Sequence, residues 1–121
     1  MLGRLACVMV LAAAALLPRD AHADCAQEIS RLMSRDAEKL TTRYNRVLKR
    51  IEKQGTSSRL VAEECRIAKQ LRPLLTEQIA ALRQSGCSKD PQVGAMVADI
   101  VRGHEDDLAM LRKTAAKPAC R

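Results

Sequence analysis

Seven apolar side chains between Ile29 and Ile51 recur at intervals of four, four, three, four, three and four residues. That is the repeat of an α-helix with one buried face. Two further stretches carry the same period. Val61, Cys65, Ala68, Leu71, Leu75, Ile79 and Leu82 mark the second, and Val97, Val101, His104, Leu108, Leu111 and Ala115 the third. Tyr44 is the single aromatic residue, with no Phe and no Trp, so the core must come from Leu, Ile, Val, Met and Ala. Those residues favour helices over sheets, and the fold class is all-α.

Punctuation sets the ends. The first helix is predicted from Ala26 to Gln54, with Asp24 as its cap, Gln27 as a loose capping-box partner and Gly55 as its stop. The second runs from a Ser57 or Ser58 cap to Gln84, with Pro73 in its middle. Proline there removes a backbone hydrogen bond and crowds the carbonyl of Lys69, at about 3 kcal/mol in a straight helix. A kink near Lys69–Pro73 is expected, or a split with Pro73 starting a new helix. Asp90-Pro91 opens the third helix, with Asp as N-cap and Pro at the first helical position, and Lys117-Pro118 closes it. Three amphipathic helices with short connections predict one domain, residues 24–121, built as an up-down-up antiparallel bundle.

Residues 1–23 read as a cleaved signal peptide. Arg4 charges a short n-region, Leu5–Leu17 are uncharged, and Ala21-His22-Ala23 offers the small-x-small site that signal peptidase requires. A membrane span needs about 20 apolar residues, so no transmembrane anchor is expected after cleavage behind Ala23. The alanine-rich stretch points to the periplasm or to secretion. Removing Arg4, Arg19 and Asp20 takes 21 cations and 14 anions to 19 and 13, a net charge of +6.

Cleavage also removes Cys7 and leaves Cys25, Cys65, Cys87 and Cys120. An even count in a small exported domain points to two disulfides. No CxxC or Cys/His spacing suits zinc, so no metal is expected. Helices of roughly 35–45 Å, at about 1.5 Å per residue, decide the pairing. Cys25 precedes the first helix and Cys87 follows the second, which puts them at the same end. Cys65 lies near the start of the second helix, and Cys120 follows the third on a tail able to fold back. Disulfide Cα atoms must lie within about 7 Å, whereas the other pairings span roughly 30 Å. The expected bonds are Cys25–Cys87 and Cys65–Cys120.

Catalysis has little to work with. His104 is the one histidine beyond the signal, and no Ser–His–Asp order, nucleophile elbow or phosphate-cradling glycine loop occurs. No enzyme and no cofactor is expected. His104 falls on the apolar stripe, so its ring should face the bundle, where charging below about pH 6 would loosen the packing. The following Glu105, Asp106 and Asp107 read as a solvated face paired with Arg102, Lys113 or first-helix cations.

The basic residues of the first helix are the stronger lead. Arg31, Arg35, Lys39 and Arg43 follow one another at i+4, with Arg46 and Arg50 beyond them. Like charges at that spacing repel by a few tenths of a kcal/mol each, which an anionic partner would relieve. Absence of stacking aromatics argues against nucleic acid. An anionic envelope component or an acidic protein remains. The expected function is binding in the cell envelope. The alternatives are a stress or chaperone-like module that exposes its apolar faces when His104 protonates or Pro73 hinges, and a structural subunit that completes its core by oligomerising.

Overall fold

The computed structural model describes residues 19–121, with side chains from Asp24 onward. The signal-peptide reading of Met1–Ala23 therefore lies outside the described residues, except for the helical backbone of 19–23. Four helices follow in order: α1 (Arg19–Leu32), α2 (Arg35–Gln54), α3 (Ser58–Gln84) and α4 (Gly94–Ala116). Short 3₁₀ turns occupy Gly86–Lys89 and Pro118–Cys120, and no strand occurs among the described residues.

The stretch predicted as one first helix is two. The break falls at Met33–Ser34, where Ser34 adopts an extended backbone with φ −76° and ψ 124°. Its Oγ accepts the Ala37 N–H at 3.2 Å and caps α2. The Ser34 N–H finds an acceptor in Gln78 Oε1 at 2.7 Å. Two of the N–H groups freed by the break are thus satisfied, which lowers its cost. Asp36 and Glu38 in the first turn of α2 complement the positive end of its dipole. Asp24 is exposed inside α1 and caps nothing, because that helix already runs from Arg19.

Gly55 ends α2 with a left-handed φ of 81°, a conformation that glycine adopts without strain. Ser57 then caps α3 by accepting the Leu60 N–H at 3.2 Å. The helix passes through Pro73 without a break as far as Gln84, so the predicted split does not occur. Pro73 is exposed. Asp90 caps a turn at 91–93 rather than the helix itself, which was expected to start at Pro91. Its Oδ1 accepts the N–H groups of Gln92 and Val93 at 2.8 and 2.9 Å, and regular α-helix follows from Gly94.

The core sits around α3, which packs against α1, α2 and α4. Leu71, Leu82, Ile100 and Leu111 are fully enclosed there, together with Ile29 of α1 and Tyr44 of α2. Both disulfides form as predicted. Cys25 and Cys87 have Cα atoms 5.5 Å apart, and Cys65 and Cys120 lie at 5.2 Å. The first ties α1 to the turn after α3, and the second ties α3 to the tail after α4.

Candidate functional site

The apolar face of α2 turns Ala37, Tyr44 and Val47 into the core. Its opposite side then presents Arg35, Lys39, Arg43, Arg46 and Arg50 to solvent. Steps of four, four, three and four residues keep these cations on one face over about 22 Å. Arg31 is exposed too, but it belongs to α1, so the break at Ser34 removes it from the predicted continuous stripe.

An open groove on this face is lined by Arg35, Glu38, Lys39, Thr42, Arg43 and Arg46. Glu38 is its one acidic residue. Among the described residues, no ion pair involves Arg35, Lys39, Arg43, Arg46 or Arg50. Acids elsewhere are engaged: Glu105 with Arg83, Asp99 with Arg102 at 3.2 Å, and Glu64 with Lys117 at 3.4 Å. A neighbouring groove between α2 and α3 shares Lys39 and Arg43 and is lined also by Leu40, Pro73 and Leu74 and by the acidic Asp36 and Glu77.

Glu105, Asp106 and Asp107 do not form the single solvated face that was expected. Asp107 is buried at 3% exposure, and Glu105 reaches across to α3 rather than to Arg102 or Lys113.

His104 is buried, as its place on the apolar stripe implied, at 3% exposure. Its Nε2 lies 2.6 Å from Gln78 Nε2. Gln78 Oε1 already accepts the Ser34 N–H, so the Gln78 amide group donates to the ring. The ring is therefore neutral with its proton on Nδ1, an atom that is buried and has no hydrogen-bond partner. Burial pushes the His104 pKa below the ordinary histidine value.

A second polar layer crosses the core nearer Cys65. Tyr44 Oη and Thr114 Oγ1 are 2.6 Å apart, and the buried Glu64 reaches Lys117. Burial raises the Tyr44 pKa, the Thr114 hydrogen bond opposes that rise, and the nearby Glu64 carboxylate adds to it.

Periodicity located His104 but missed Ser34, Glu64, Gln78 and Thr114. Among the described residues no group of three His, Cys, Asp or Glu side chains could hold a metal ion. None of the described helices is long and apolar enough to cross a membrane. Comparison with protein-family models, with curated proteins and with solved structures finds no match.

Proposed function

We propose that this chain is an exported, disulfide-stapled helical binding protein of the cell envelope that holds an anionic partner on the outer face of α2. The proposed role is binding rather than catalysis. One observation carries the reading: Arg35, Lys39, Arg43, Arg46 and Arg50 lie exposed on one helix face and none of them forms an ion pair among the described residues. Repulsion along such a ladder is relieved when phosphates or carboxylates dock on it.

Two disulfides fit an oxidising compartment, and the N-terminal sequence supplies the reading of export to the periplasm or beyond. The proposed frame is an up-down-up arrangement of α2, α3 and α4, with α1 as a shorter fourth element. Short connections and the two staples support it.

Co-sedimentation of the oxidised protein, residues 24–121, with phosphatidylglycerol and with phosphatidylcholine vesicles tests the function. Binding should require the anionic lipid, weaken between low and high salt, and drop at least tenfold in Arg35→Gln/Lys39→Gln/Arg43→Gln. Equal binding to both vesicles, or none to either, would remove the anionic surface from the account.

A further inference from the structure

We infer that Ser34, Gln78 and His104 form an acid-released latch holding the elbow between α1 and α2 against α3 and α4. This inference does not depend on what α2 binds. It rests on counting donors and acceptors along a three-residue chain through the core. Ser34 N–H is only a donor, so the oxygen of Gln78 must face it, at 2.7 Å. The Gln78 NH₂ group then faces His104 Nε2 at 2.6 Å, and that nitrogen must accept. An imidazolium ring has no accepting nitrogen.

Adding one proton to His104 therefore sets N–H against N–H. Rotating the Gln78 amide satisfies His104 but presents NH₂ to the Ser34 N–H. Holding the amide in place expels the ring. Either route leaves the Ser34 amide without its acceptor or breaks the contact that positions it.

The elbow is the part free to yield. Ser34 is non-helical and half-buried, whereas α3 is tied by Cys65–Cys120 to the tail after α4 and packs on α4 more extensively than any other pair of described helices. Cys25–Cys87 still tethers α1, so the movement is a local opening at Met33–Ser34.

Charges around the ring do not remove the conflict. On its own helix, Asp107 is buried one turn away, yet His104 Nδ1 has no hydrogen-bond partner, and Glu105 is held by Arg83 of α3. Glu77 of α3 and Asp36 of α2 line the surface groove between those helices, and Arg35 beside Ser34 is exposed.

Amide hydrogen exchange and histidine NMR titration of the oxidised protein, from pH 7.5 to 4.5, test the latch. Protection factors corrected for intrinsic exchange should fall at least tenfold at Ser34 with the same midpoint as His104 titration, while amides in the middle of α3 and α4 stay protected. In His104→Gln, whose side-chain oxygen accepts from Gln78 at every pH, Ser34 protection should not change over this range. Ser34 protection that ignores the His104 midpoint would overturn the latch. So would loss spread evenly over all four helices, or an unchanged acid response in the variant. Should His104→Gln fail to fold, the comparison of Ser34 with α3 and α4 in the unmodified protein decides alone.

Discussion

Polar side chains sit inside a core that has one aromatic ring, and several are matched to one another. Tyr44 and Thr114 bond to each other, Glu64 meets Lys117, and Gln78 bridges Ser34 and His104. A buried hydrogen bond is worth about 0.5–1.5 kcal/mol net, but stranding one partner costs about 1–3 kcal/mol. Among the described residues two buried side-chain atoms stay unpartnered, Ser85 Oγ and the Nδ1 of His104. The His104 pKa is lowered by burial, so the folded state holds the proton less well than the unfolded chain, where the value is about 6.5. Stability is then complete above about pH 6.5 and declines as the pH falls below it, levelling only below the folded-state pKa. Urea midpoints at pH 7.5 and 5.5 should differ in the native protein and differ less in His104→Gln. An equal drop in both would place the acid sensitivity elsewhere. Gln78 and Glu64 were not legible in the sequence because apolar periodicity reports which side of a helix is buried. It is silent on the polar residues flanking that stripe. His104 was legible because it stands on the stripe itself.

At the scale of elements, strong local signals and structure agree. Ser57 caps α3, Asp90 caps the turn that leads into α4, and Lys117-Pro118 ends that helix. The break at Met33–Ser34 escaped because the four-residue spacing of Ile29, Met33 and Ala37 continues across it, with no Gly or Pro to mark it. Ser34 followed by Asp36 and Glu38 is a helix-start pattern, but it was embedded in an uninterrupted stripe. Pro73 does not split α3. A three-sided anchorage on α1, α2 and α4 keeps α3 helical through a residue that a free helix would not tolerate. Gly94, the first residue of α4, is fixed by close packing. A Cβ there would stand 2.8 Å from the Ser88 carbonyl oxygen. Gly94→Ala should therefore destabilise by about 1–3 kcal/mol through overpacking. Thermal denaturation checks the sign, and a higher melting temperature would show that the 3₁₀ turn moves aside freely.

For the whole molecule, two covalent ties compensate for a small core. Helix length and the position of each cysteine along it were enough to choose the pairing, since one arrangement alone brings partners to the same end. Cys65–Cys120 closes a separation of 55 residues, worth about 4 kcal/mol in the chain-entropy model. Cys65→Ser/Cys120→Ser should lower the urea midpoint by a corresponding amount while leaving the far-UV helical signal in place. A midpoint within error of the native protein would mean that packing alone holds the C-terminal tail. The charge pattern was legible in part: the cationic face of α2 followed from i+4 spacing, whereas its separation from Arg31 required the break. The central claim is that this face, and not net charge, holds the partner. The most direct measurement compares Arg35→Gln/Lys39→Gln/Arg43→Gln with Arg59→Gln/Arg66→Gln/Lys69→Gln, three exposed cations removed from α3. Both variants lose the same charge. Binding to phosphatidylglycerol vesicles at fixed salt should collapse in the α2 variant and survive within about threefold in the α3 variant, a difference of under 0.7 kcal/mol. Equal losses in the two would contradict the account and reduce the α2 face to ordinary surface charge.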